Sequence, residues 1–238
     1  MGTKDSVIVL GLLGQCPLAG IAWQLLYYLV GFQRLGFKVF YVEETGVPPY
    51  DPHTKNLTFD CSYNLHFINE TLRPYGFAES WAYRDELTNQ WRGMSSARVH
   101  ALFNHALCVV NLCCASHPET LTHRPKGTFV YLETDPVLCQ ARLAQGDEAA
   151  LRLVGGHDAH VTYGENLGAA DCPIPFVMDL WSMPLSDFCY LAAGKPVVTQ
   201  ETGFSKYIPT GNGLFGFSSA EEAIAAFDSI NGNYLFHA

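Results

Sequence analysis

The sequence predicts an α/β fold: a mostly parallel sheet flanked by helices, with a small βα piece at the C-terminal end. Three stretches carry that expectation. "VIVLGLL" at 7–13 is a short, wholly apolar run bounded by glycine, the pattern of a strand covered on both faces. The run from 21 to 35 is apolar almost all round and stops at Gly36, after which "KVFYVE" reads as a second strand. "GTFVYLETDP" at 127–136 repeats the pattern, with Asp135-Pro136 opening another helix.

The remaining elements follow in order. The first strand takes the central position and, with the helix and second strand, forms a βαβ unit whose crossover is right-handed. Residues 45–95 are rich in proline, asparagine and aromatics; an irregular excursion with one or two helices is expected, including a helical stretch near 79–92 around Trp81 and Trp91. A helix from Ser95 to His105 precedes a strand within Ala106–Cys113, and 137–152 is helical in composition. "HDAHVTYGENLG" at 157–168 gives a short strand and a glycine-rich loop. Pro173, Pro175 and Pro184 mark a linker, so the division expected is 1–175 and 176–238. Beyond it come a helix near 186–193, strands at 196–200 and 213–217, and a last helix from Ser219 to Ile230 with Glu221 and Glu222 in its first turn. Two strands alone are not a stable sheet, so this piece is expected to dock on the first domain or on another chain.

Composition narrows the function classes. With 14 basic and 23 acidic residues the net charge is -9, which argues against holding nucleic acid or an anionic membrane through the overall field. The eight cysteines show no zinc spacing and lie mostly in apolar runs; they are read as reduced and mostly buried, with the cytoplasm as default compartment. The uncharged run from Ser6 to Gln33 invites a membrane span or signal reading, but Gly14, Gln15, Pro17 and Gly20 interrupt it, and no membrane span is expected. "MGTKDS" fits a loose myristoylation pattern yet leads straight into a strand.

"GLLGQCPLAG" follows the first strand and opens a helix, the position at which free amides bind an anion; the alternative is a tight strand-to-helix turn. "GNGLFG" at 211–216 has the letters of a dinucleotide fingerprint, but Gly216 falls inside an expected strand, so its glycines are read as a turn. His157 with His160, and His100 with His105, lack a convincing third ligand, and no metal site is expected. No nucleophile elbow is present. Ligands of such sheets collect beyond the carboxyl ends of the strands, where Gly14, Gln15, Glu43, Glu44, Glu133, Asp135 and Glu165 fall. That acid-lined rim suits hydroxyl-rich ligands and general-base work, with helix capping as the alternative, above all for Asp135.

Two segments carry a family resemblance. "VIVLGLLGQCPLAGIAWQLLYYLVGFQRLGFKVFYVEE" resembles the start of nucleotide-sugar glycosyltransferases of the GT-B type, and "FCYLAAGKPVVTQETGFSKYIPTGNGLFGFSSAEEAIAAF" resembles their C-terminal donor-side segment. "YLETDP" and "YGENLG" look like first-domain strands of bacterial relatives. The resemblance implies a Rossmann-like N-terminal, acceptor-side domain and a strongly shortened donor-side remnant docked on it. It also implies a nucleoside-diphosphate sugar as donor substrate, a hydroxyl acceptor and no tightly bound cofactor or metal. Carried over, Thr202, Gly203 and Phe204 approach the sugar or diphosphate, Lys206 is a charge partner, and Gly14, Gln15 and Gly20 face the same cleft. Asp135 or Glu165 is the base. Trp181 and Cys189 stand where many retaining relatives place paired glutamates. A non-catalytic module that binds a nucleotide or a partner protein is therefore the second reading, and a homodimer is one way of covering apolar surface beside a stub domain.

Overall fold

The computed structural model describes residues 5–164, 181–182, 196–200, 205 and 210–233. The chain divides into two compact units at the Trp181/Ser182 junction.

In the first unit, β1 (Ser6–Leu10) leads through a glycine-containing loop into α1 (Ala19–Arg34) and β2 (Lys38–Glu43). α1 ends in a Schellman motif: Gly36 has φ +94°, its N–H donates to the Gln33 carbonyl, and the Phe37 N–H donates to the Phe32 carbonyl. A short hairpin, β3 (Tyr50–Asp51) and β4 (Asn56–Leu57), and the helix α2 (Ser62–Leu72) precede β5 (Trp81–Asp85) and β6 (Gln90–Gly93). Then follow α3 (Ser96–His105), β7 (Cys108–Leu112), β8 (Thr128–Glu133), α4 (Pro136–Ala144), α5 (Glu148–Gly155) and β9 (Ala159–Thr162). The strands pair in the order β9-β8-β7-β1-β2-β5-β6, and a two-residue strand, β10 (Trp181–Ser182), extends the β9 edge. All the pairings from β9 through β5 are parallel; β6 turns back, antiparallel to β5.

β1 is central, as its uninterrupted apolar run predicts. Ile8 and Leu10 sit in a core cluster with Val99 and Phe103 of α3, and the alternate residues Val7 and Val9 are equally shielded from solvent. Successive strand residues point to opposite faces, so both faces of β1 are covered. A second cluster joins Tyr131 of β8 to Leu143 of α4 and to Ala150 and Val154 of α5.

The sequence expectation fails at 79–92, where a β-hairpin replaces the helix. Asp85 accepts from the Leu87 and Thr88 N–H groups and Asn89 takes φ +56°, which is turn chemistry. Gly93 has φ +76°, and a Cβ there would lie 2.4 Å from the Trp81 carbonyl oxygen, so the hairpin requires glycine. The excursion's helix is α2 instead. The helical stretch at 137–152 is also two helices: Gly146, at φ +71°, ends α4, and Asp147 caps α5 by accepting from the Ala149 and Ala150 N–H groups.

The second unit contains β11 (Val197–Gln200), parallel to β12 (Leu214–Phe217), and α6 (Ala220–Gly232). Ser219 caps α6 by accepting from the Glu222 N–H, while Glu222 accepts from the Ser218 N–H. Gly211 and Gly213 have positive φ and Gly216 lies in β12, so "GNGLFG" is a turn entering a strand. The helix expected near 186–193, most of the linker, Cys172 and Cys189 lie outside the described residues. The six described cysteines are all unpaired and half-buried rather than buried.

Candidate functional site

The chain runs from β1 to β2 and β5 on one side, then places β7, β8 and β9 on the other, so the direction of winding reverses between β1 and β7. The crevice at such a reversal, beyond the carboxyl ends, is where open α/β sheets take ligands. The loop from Gly11 to Leu18 lies at this point.

Its backbone is held by groups from distant parts of the chain. Glu43, at the end of β2, is fully buried and accepts from the Gly14 N–H at 2.7 Å, the Gln15 N–H at 2.5 Å and the Tyr41 hydroxyl. Tyr41 in turn accepts from the Leu13 N–H at 2.9 Å. Buried Asn64 of α2 donates to the carbonyls of Gly14 at 2.7 Å and Tyr50 at 2.9 Å. A Cβ on Gly14 would lie 2.8 Å from Ile68 Cδ1 and 3.0 Å from the Tyr83 ring, so no larger residue fits without movement. Burial pushes the Glu43 carboxyl up to about 7, against the pull of its hydrogen-bond donors, which favour the anion.

This corrects the reading of Gly14 and Gln15 as ligand-facing amides. An internal carboxylate occupies the position expected for an external anion. Open amides belong instead to the first turn of α1. Leu18 stands at the N-cap in extended conformation and supplies no side-chain hydrogen bond, and the first turn contains no acid. Gly20 lies in that turn, exposed, with open space where a Cβ would be. Beside it, a hollow of about 10 Å³ is lined by Gly11, Ile21, Gln24, Leu112 and Cys113, room for roughly one water.

The acidic rim also differs from expectation. Glu44 is 4% exposed; it pairs with Arg84 at 2.6 Å and accepts from the Thr122 N–H and hydroxyl. Glu133, 1% exposed, accepts from Gln140 at 3.1 Å and Thr162 at 2.7 Å. Both are internal ties, not ligand-facing groups. Asp135, read as a candidate base with helix capping as the alternative, occupies the N-cap of α4 without a side-chain cap bond and is exposed, so its carboxylate stands open at the rim. Sequence reasoning found the rim but counted Glu43, Glu44 and Glu133 as ligand-facing, because which acid is buried depends on contacts between residues far apart in the chain.

Cys113 and Cys114 follow β7 directly and both take φ +53°, a left-handed conformation that non-glycine residues rarely adopt. Cys113 Sγ lies 2.6 Å from Thr134 Oγ1. Burial raises both thiols, Cys114 to about 12, so they are neutral and poor nucleophiles. The histidine pairs are satisfied locally. His157 contacts the Leu153 carbonyl and Asn111, His160 the Val154 carbonyl, and His105 the Ala101 carbonyl. His100 faces His123 at 3.2 Å. Among the described residues no group of three or more His, Cys, Asp or Glu could hold a metal ion, and no helix is long and apolar enough to cross a membrane.

Glu165, Thr202, Gly203, Phe204 and Lys206 lie outside the described residues. Of the expected site residues, the first unit holds Gly14, Gln15 and Gly20 in the loop and helix after β1, and Asp135 directly after β8, at the carboxyl end of the sheet. No protein-family model, no curated protein and no solved structure matches this chain.

Proposed function

We propose that this chain is a glycosyltransferase-like protein of the GT-B type. It would hold a nucleoside-diphosphate sugar at the carboxyl ends of its parallel strands and transfer the sugar to a hydroxyl acceptor. The observation that carries this reading is the uncapped N-terminus of α1 at the point where the winding of the sheet reverses. A helix start with free amides and no acid of its own attracts a diphosphate through its N–H groups and its dipole. The locked loop ahead of it supports the same reading, since a rigid approach lowers the ordering cost of binding. In this scheme Asp135 takes the proton of the acceptor hydroxyl as the new bond to the sugar forms, and the nucleoside diphosphate leaves. No residue of this scheme needs a metal.

Assay of UDP-, GDP- and dTDP-sugars for transfer to hydroxyl acceptors, and for donor hydrolysis, tests the reading. Asp135→Asn should lower turnover by about 10²–10⁴ while leaving nucleotide binding intact. Unchanged turnover in that variant removes Asp135 from the base role. A second reading rests on the internal ties of Glu43, Glu44 and Glu133, which leave few described acids for chemistry: a module that binds the nucleotide and transfers nothing. Nucleotide binding without donor breakdown would select it.

A further inference from the structure

The opposite end of the sheet carries a separate hollow. It lies at the amino end of β2, between the last turn of α1, the 3₁₀ turn Arg73–Tyr75 with the segment after it, and the first turn of α3; its volume is about 370 Å³. That lies within the range of small-molecule sites. Its lining on β2 ends at Phe40, three residues or roughly 10 Å at strand spacing from Glu43, so it is not part of the rim described above.

Two kinds of group line it. Phe37, Phe40 and Phe77 provide aromatic surface, with Phe77 buried and the other two half-buried. Gln33, Lys38, Ser80 and Arg98 provide polar side chains. Among the described residues none of these four side chains makes a hydrogen bond or ion pair, although Arg98 lies over the Phe40 ring at 5.6 Å from its centroid. That stacking holds the guanidinium plane while leaving its N–H fork for a ligand. Arg73, Arg84, Arg92, Arg142 and Arg152, by contrast, pair with carboxylates elsewhere, at Glu70, Glu44, Asp85, Asp147 and Glu148. In a chain of net charge -9, two cations left without carboxylates around one aromatic hollow mark a local preference for anions.

We infer that this hollow binds a small amphipathic anion: an oxyanion head held by Arg98 and Lys38, with Gln33 and Ser80 as neutral hydrogen-bonding groups, and an aromatic body against Phe37, Phe40 and Phe77. Arg98 supplies the bidentate contact and Lys38 a point charge. Binding here is independent of nucleotide binding at α1.

Phenyl phosphate is the probe, with inorganic phosphate and phenol as its separated halves. Amide spectra of the ¹⁵N-labelled full chain should shift on addition of phenyl phosphate at Lys38, Phe40, Gly76, Phe77 and Ser80. The affinity should exceed that of either half by at least about tenfold, as expected when charge and apolar contact act together. Arg98→Gln and Lys38→Gln should each weaken binding several-fold. Both residues are exposed, so the unfolding midpoint should hold and a folding defect is separable from lost binding. Inorganic phosphate binding as tightly as phenyl phosphate would overturn the inference, as would shifts located elsewhere or affinity unchanged in both variants.

Discussion

At Glu43, backbone and side-chain donors from three neighbouring residues converge on a carboxylate with no access to water. Its folded value of about 7 lies above the ordinary 4.5, which fixes the sign of its contribution. Protonated Glu43 contributes fully below pH 4.5, and stability is lost as pH rises through 7, by on the order of 3 kcal/mol. Denaturant titrations from pH 4 to 8 should show that fall in the wild type and a flatter profile in Glu43→Gln. Equal slopes would exclude Glu43 as its source. Glu43→Ala should cost roughly 2–3 kcal/mol at pH 4, because the Gly14 and Gln15 amides lose their acceptor inside the fold, and less as pH rises through 7. Gly93→Ala tests a different constraint. Its Cβ would meet the Trp81 carbonyl at 2.4 Å in a left-handed conformation, so a loss of at least about 2 kcal/mol is expected. A loss below half of that would mean the hairpin can shift.

At the scale of elements, the departures from sequence expectation have identifiable causes. β1, α1 and β2 are legible because each is long or strongly patterned and ends on its own signal, such as Gly36. The β5–β6 hairpin is not, because Trp81 and Trp91 fit either a helix or a strand; the turn at Asp85–Asn89 and the close approach at Gly93 decide it. The α4–α5 break is written in Gly146 and Asp147, a stop and a cap set within otherwise helical residues. α1 supplies the sharpest element-scale prediction. Leu18→Asp adds the missing cap and should stabilise the ligand-free protein by about 0.5–2 kcal/mol in thermal unfolding. A destabilised variant would indicate that the first turn of α1 has no room for a side-chain cap.

For the whole molecule, the parallel sheet was readable from apolar runs and their punctuation, and with it the end of the sheet at which ligands gather. The internal use of that rim was not. Glu43, Glu44 and Glu133 look alike in sequence to Asp135, and only pairing with Gly14, Arg84 and Gln140 turns the first three inward. Asn64 is similar: nothing local marks it as the residue that holds the Gly14 and Tyr50 carbonyls. The hollow around Arg98 was equally hidden, since its lining comes from three segments that meet only in the fold.

The central claim is that a nucleoside diphosphate binds at the open start of α1. Thermal unfolding of the wild type and of Leu18→Asp, each titrated with UDP, GDP and dTDP, tests it most directly. The wild type should gain about 2.7 kcal/mol with one of the nucleotides at a hundred times its Kd, a rise of several degrees in midpoint. In Leu18→Asp the new carboxylate occupies the same amides, and that gain should vanish while the ligand-free midpoint rises. No shift with any nucleotide at millimolar concentration, or an equal shift in the two proteins, would contradict it.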